Sequence, residues 1–153
     1  MRLFSLFFLL PGTFLLLSAC NKTESDLRAD SFPDELVSKG REVYLIHCAA
    51  CHGPNGEGQN PAAPLRRDET GRYPAPPHNE NGHTWHHDDD LLIRIITEGG
   101  MGDTKNFYEM PAFGDKLGNE DIQAIITFIK TLWSDEQRES QRKVTEAARS
   151  QQP

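Results

Sequence analysis

Three stretches with apolar residues at helical intervals, near residues 32–47, 88–99 and 118–133, predict an all-α domain of about three main helices. At the end of the first stands Cys48-Ala49-Ala50-Cys51-His52. Two thiols and an imidazole at this spacing predict that the helices are wrapped round one covalently held haem. The hydrophobic content of 37% is low for 153 residues. A domain that buries its side chains against a large apolar cofactor needs less apolar surface of its own.

Residues 1–19 read as a signal peptide. Arg2 supplies a positive start, residues 3–17 are apolar apart from Ser5 and the Pro11-Gly12-Thr13 interruption, and Leu17-Ser18-Ala19-Cys20 closes the segment. That tetrad resembles the bacterial lipobox, which implies cleavage before Cys20 and lipidation of Cys20. Ordinary secretion with a free Cys20 and an uncleaved anchor helix are the alternatives. The apolar run falls short of the ~20 residues that span a bilayer. Several acyl chains at ~0.8 kcal/mol per buried methylene would hold the protein to a membrane. Residues 20–31 carry almost nothing apolar and are expected to form a lipidated tether.

The expected domain covers residues 32–133. Pro33 or Asp34 suits a helix start, and Leu36, Val37, Gly40, Val43, Tyr44 and His47 then recur at helical intervals up to Cys48. Gly40 and Tyr44 share a face, where a glycine lets a second helix approach closely. In the motif itself, both sulfurs can add to the haem vinyl groups while His52 reaches the iron from the same side. A zinc half-site and a thioredoxin-like redox pair are the competing readings. The first lacks a second ligand pair, and the glycine-rich residues 53–58 do not start the helix that the second expects. Five prolines between Pro61 and Pro77 exclude regular structure and suggest a chain laid over something rigid. Asp88, Asp89 and Asp90 open the second helix and Gly99 stops it. Gly118 to Asp121 cap the third, whose apolar side holds Ile122, Ile125, Ile126, Phe128, Ile129 and Leu132. Ile125 and Phe128 are placed to meet Gly40 and Tyr44. Residues 134–153 are polar on every side, with Val144 their only large apolar residue, and read as an exposed helix or a disordered tail outside the domain.

Gly40, Tyr44, the Cys48 to His52 motif, Pro64-Leu65, Trp85, Met110-Pro111 and the closing helix together resemble a class I monohaem cytochrome c. The resemblance implies thioether bonds to Cys48 and Cys51 and His52 as the proximal iron ligand, its other ring nitrogen donating to the Pro64 carbonyl. Met110 would be the distal ligand, in preference to Met101 in its glycine-rich turn. A neutral thioether there favours ferrous iron and raises the potential. Trp85, with Tyr73 or Arg67, is a candidate donor to a haem propionate, against simple packing; Arg66 and Arg67 otherwise read as a solvated pair. Tyr44 and Phe128 are expected in the core, and His47 in a local polar contact. Residues 76–87 also look like a segment of a subgroup of bacterial exported cytochromes.

His78, His83, His86 and His87 crowd near Asp88, Asp89 and Asp90. A copper or zinc site, a role at the haem edge or in partner docking, and ordinary loop histidines all stay open. The reading that accounts for most of the chain is an electron carrier, not an enzyme, lipid-anchored in the bacterial cell envelope and serving respiratory or other periplasmic redox partners. The alternatives are a haem enzyme or gas sensor with a displaceable sixth ligand, and a copper-handling lipoprotein. The formal charge of −7, which becomes −8 when the segment bearing Arg2 is lost, points to partners with basic docking patches and away from nucleic acid. No small-molecule substrate is implied.

Overall fold

A computed structural model describes residues 31–100 and 103–151. The signal peptide, most of the tether, Cys20 and Met101 lie outside the described residues. Helix α1 (Asp34–His47) follows Pro33, whose carbonyl accepts the Val37 N–H at 3.0 Å. Asp34 and Glu35 in its first turn suit the positive end of the helix dipole. A one-turn helix α2 (Ala49–His52) comes directly after Cys48. Helix α3 (Asp89–Glu98) is capped by Asp88, whose carboxylate accepts the Leu91 N–H at 2.8 Å, and it ends at Gly99 with φ +92°, a conformation that favours glycine. Helix α4 (Asn119–Lys130) starts after Gly118, and the Asp121 carboxylate accepts the Gly118 N–H at 3.4 Å. Among the described residues there is one isolated bridge, Tyr73 with Phe107, and no named strand.

The all-α expectation holds, and its three main helices are α1, α3 and α4. The core forms where α1 crosses α4. Tyr44, Ile122 and Ile125 are fully buried, and the Tyr44 and Phe128 rings lie 5.1 Å apart. Burial of an Ile side chain of this kind contributes about 1.5–3 kcal/mol. The crossing is close because Gly40 has no side chain. A Cβ there would stand 2.5 Å from the Ala124 carbonyl carbon and 3.0 Å from Phe128 Cβ. Leu92 and Ile96 of α3 join the same core, along with Phe113, Leu117 and Trp133. Lys130 Nζ, in the last turn of α4, pairs with the Asp89 carboxylate in the first turn of α3 at 2.6 Å.

Residues 134–151 correct the expectation of a tail outside the domain. They form helix α5 (Asp135–Ser150), which belongs to the same unit as the Cys48 to His52 motif. Ser134 and Gln137 make a reciprocal capping box, with Gln137 N–H donating to Ser134 Oγ at 3.3 Å and Ser134 N–H to Gln137 Oε1 at 3.1 Å. The packed face is polar, which is why no apolar stripe announces it. Gln141 is only 2% exposed, and its Nε2 donates to Asp89 Oδ1 at 2.7 Å, Thr145 Oγ1 at 3.0 Å and the His87 carbonyl at 3.2 Å. Thr145, one turn on, accepts the Asp89 N–H, and Gln137 Nε2 donates to the Glu80 carbonyl.

Gly40→Ala is expected to destabilise the protein by about 1–3 kcal/mol, because the added methyl overlaps backbone that cannot move without separating α1 from α4. Denaturant unfolding monitored by circular dichroism measures it; a midpoint equal to wild type would show that the crossing is looser than described.

Candidate functional site

Cys48 closes α1, its N–H donating to the Tyr44 carbonyl at 2.8 Å, and its own carbonyl accepts from Cys51 N at 3.1 Å and His52 N at 2.9 Å. The pentapeptide is therefore a single tight turn. Positions three and four apart on a turn share a side, so this geometry brings Cys48, Cys51 and His52 together. Cys48 is half-buried, Cys51 is exposed and His52 is 8% exposed. Burial chiefly, with Cys51 beside it, pushes the Cys48 thiol up to about 11.

His52 Nδ1–H donates to the Pro76 carbonyl at 2.9 Å. That bond leaves Nε2 as the ring nitrogen with a free lone pair. Burial lowers the His52 pKa, and the bond to Pro76 opposes the shift. The acceptor is Pro76 and not Pro64, a correction with a clear cause. Gln59 N donates to Ala75 O at 3.0 Å and Ala75 N to Gln59 Oε1 at 3.1 Å, so the chain leaves the site after Gly58 and returns at Pro76. Pro64 lies within the excursion between, beside Leu65, which is 83% exposed.

The four loop histidines do not act as one group. His78 stacks on His52, ring centroids 4.0 Å apart and planes at 26°, and its Nδ1 bonds Thr84 Oγ1 at 2.9 Å. Burial pushes its pKa well below the ordinary histidine value, and neighbouring His52 adds to the shift. His83 meets His87 edge-on at 5.4 Å, and His86 lies 3.8 Å from Trp85. Burial, then His87 and His86, lowers the His83 pKa. Among the described residues no group of three or more His, Cys, Asp or Glu is placed to hold a metal ion, residues 78–87 included. His47 has its ring edge-on to Phe113 at 5.9 Å.

Trp85 departs from the propionate assignment. Its Nε1–H donates to the Gly82 carbonyl at 3.1 Å, and its ring packs against the core. Arg67 is not a free surface cation either: its guanidinium lies 4.2 Å above the Tyr73 ring and donates to Asn106 Oδ1 at 2.8 Å and to the Gly71 carbonyl. Met110 is half-buried against the same core as Cys48, Ala49 and Trp85. Its carbonyl accepts the Gly100 N–H at 2.9 Å, and the chain beyond it runs along the end of α3 through Phe113 N to Ile96 O at 3.0 Å. The segment before Met110 is tied to residues 68–73. Tyr73 N donates to Asn106 O at 2.8 Å, and the Tyr108 hydroxyl donates to the Asp68 carboxylate. That bond, with those from Thr70 and Arg72, holds the Asp68 carboxyl down at about 2. The tie is therefore fully present above the ordinary carboxylate range and is lost as pH falls through about 2.

The donor set fits a covalently held haem: two thiols beside a buried imidazole with one free nitrogen, and a soft thioether on the same core. The Tyr44 hydroxyl is buried without a hydrogen-bond partner. Spacing alone did not single out Pro76 or His78, since an acceptor carbonyl occurs at every residue.

An all-α domain built round one such turn is a haem-attachment domain of the cytochrome c type. The Cytochrome c family model matches residues 37–133, which is 97 of the 153 residues, and the chain belongs to that family. It carries covalently bound haem c and is an electron-carrying cytochrome. It is 30% identical over 98 residues to the FixP subunit of the cbb3-type cytochrome c oxidase of Azorhizobium caulinodans, covering 63% of this chain and 27% of that one. Cytochrome c6 of Microcystis aeruginosa is 27% identical over 90 residues, covering 59% of this chain and 89% of that one. The cytochrome c subunit of gluconate 2-dehydrogenase from Pantoea cypripedii is 28% identical over 98 residues, covering 61% and 20%. The chain thus spans little more than a quarter of the oxidase subunit's length. No solved structure matches it.

Asp68→Asn is expected to speed amide exchange at Tyr73 while leaving the global unfolding midpoint nearly unchanged, because the tie is surface-exposed. Exchange followed by NMR checks this, and unaltered protection at Tyr73 would show that the Tyr108 bond does not hold the two segments together.

Proposed function

We propose that the protein is a membrane-anchored monohaem cytochrome that passes single electrons between respiratory or other periplasmic redox partners and has no enzymatic activity of its own. The observation that carries this reading is the His52 hydrogen bond: with Nδ1–H given to the Pro76 carbonyl, Nε2 is the nitrogen left to bind iron. Haem c, when bound, supplies a one-electron ferric/ferrous couple.

In this reading Cys48 and Cys51 form the two thioethers, fixing the ring plane against a turn that α1 and α4 hold rigid. His52 is the proximal ligand, oriented by Pro76. Met110 is the distal ligand, and its neutral sulfur favours the ferrous state. The Gly100 N–H to Met110 carbonyl bond and the Asp68 to Tyr108 tie support the segment that presents it. A haem held by both His52 and Met110 would leave no open position for oxygen or peroxide, which favours a carrier over a gas sensor or haem enzyme.

The anchor is read from Leu17-Ser18-Ala19-Cys20 alone. In this reading lipidated Cys20 makes the attachment in the cell envelope; no helix among the described residues is long and apolar enough to cross a membrane. The acidic balance of the chain suits partners with basic patches, whose association slows as salt rises.

The test is optical. The ferric protein is expected to show the weak near-infrared band of sulfur ligation, and the ferrous protein not to bind carbon monoxide. Met110→Ala should lose the band and bind carbon monoxide; a band that survives this substitution overturns the ligand assignment, and carbon monoxide binding by the wild type overturns the closed carrier. For the anchor, Cys20→Ala is expected to leave the membrane fraction or fail to mature when fractions are probed by immunoblot. Unchanged membrane retention contradicts lipidation.

A further inference from the structure

The feature that the electron-carrier reading does not use is the ring behind the proximal histidine. His78 lies face to face with His52, centroids 4.0 Å apart and planes at 26°, and it is held there from four sides. Its N–H donates to Gly56 O at 2.7 Å, its carbonyl accepts Trp133 Nε1–H at 2.8 Å, its Nδ1 bonds Thr84 Oγ1 at 2.9 Å, and its ring edge meets Tyr44 at 6.3 Å. Thr84 is itself buried and donates its one hydroxyl proton to the Pro77 carbonyl at 3.4 Å. Thr84 Oγ1 thus links the His78 ring to the backbone at Pro77. The ring is thereby fixed in position.

We infer that His78 is a positioning residue for the proximal ligand, its locked ring setting the rotation of the His52 imidazole and keeping water from its face. This role rests on His52 being the iron ligand, as proposed above. The terminal torsion of a histidine is broad, and one hydrogen bond at Nδ1 pins a single point of the ring while leaving it free to rock about that point. A flat group stacked on the face removes this freedom. The same packing keeps solvent from the iron ligand, which is 8% exposed. Solvent exposure is one of the levers that set a haem potential, and water favours the more highly charged ferric form. The backbone bonds of residue 78 do not involve the side chain, so a substitution there alters the stack on His52, the Thr84 bond and the Tyr44 contact while leaving the loop's own anchors in place.

The experiment uses the full chain loaded with haem c, with three variants: His78→Ala, His78→Phe and Thr84→Val. Redox titration followed optically reads the ferrous fraction at a fixed ambient potential, and proton NMR of the ferric protein reads the spread and order of the haem methyl shifts, which report the plane of the axial imidazole. His78→Ala is expected to move the balance several-fold toward the ferric form and to change the methyl pattern. His78→Phe, which keeps a flat ring without the Thr84 bond, should restore most of both. Thr84→Val, which frees the ring, should change both in the same direction as His78→Ala by less. A His78→Ala protein that loses thermal stability with an unchanged potential and methyl pattern overturns the inference, as does a His78→Phe protein indistinguishable from His78→Ala. These failures leave His52 as ligand intact. A wild-type protein whose pyridine haemochrome spectrum lacks two thioether bonds, or whose His52→Ala variant keeps the same low-spin spectrum, overturns the ligand reading and this inference with it.

Discussion

The bond from His52 Nδ1–H to the Pro76 carbonyl joins two parts of the chain 24 residues apart, and most of the domain is arranged to keep those two atoms 2.9 Å apart. One end is set by α1. Its last turn delivers Cys48, and the bonds from Cys51 and His52 back to the Cys48 carbonyl make the motif a continuation of that helix. The other end is set by the returning loop, anchored through Gln59 to Ala75, through Gly56 to His78 and Asn79, and through the Trp133 indole to the His78 carbonyl. A protein that must exchange an electron without rearranging needs its metal ligands fixed beforehand. Here that rigidity comes from a helix on one side and a hydrogen-bonded loop on the other.

Helix α1 can serve as a fixed reference because α4 lies directly against it. Gly40 permits the approach, and the buried Tyr44, Phe128, Ile122 and Ile125 supply apolar contact around it. Helix α3 ends at Gly99, after which Gly100 N–H bonds the Met110 carbonyl. The same layout gives the two halves of the site different characters. The His52 side is buried and shared with the core, whereas the segment before Met110 is tied by exposed hydrogen bonds among Asp68, Tyr73, Asn106 and Tyr108.

How far the sequence reveals this depends on where the information sits. The three core helices, and the meeting of Gly40 and Tyr44 with Phe128, are legible because apolar side chains recur at helical spacing and a glycine among them permits a close crossing. The clustering of Cys48, Cys51 and His52 is legible because five consecutive residues form it. Pro76 is not: the acceptor is a backbone carbonyl, five prolines offer one within 17 positions, and only the Gln59 to Ala75 pairing selects among them. For Trp85 the sequence leaves propionate donation and packing both open, and the indole N–H donates to the carbonyl of Gly82 three residues earlier. The crowded histidines misleadingly read as a group, since proximity in sequence says nothing of which one turns inward. Helix α5 is hidden for the opposite reason to the core: its contacts are amides and hydroxyls, which leave no apolar stripe.

Asp89 is where that last difference matters. It belongs to α3, pairs with Lys130 of α4 and accepts from Gln141 of α5, so one carboxylate is the meeting point of three helices. A hydrogen bond to a charged group contributes about 1.5–3 kcal/mol, and it is directional where apolar contact is not. The joint therefore specifies an orientation instead of merely favouring proximity. The C-terminal helix is thus keyed by direction to the loop that returns to His52, through Gln137 to the Glu80 carbonyl and Gln141 to the His87 carbonyl.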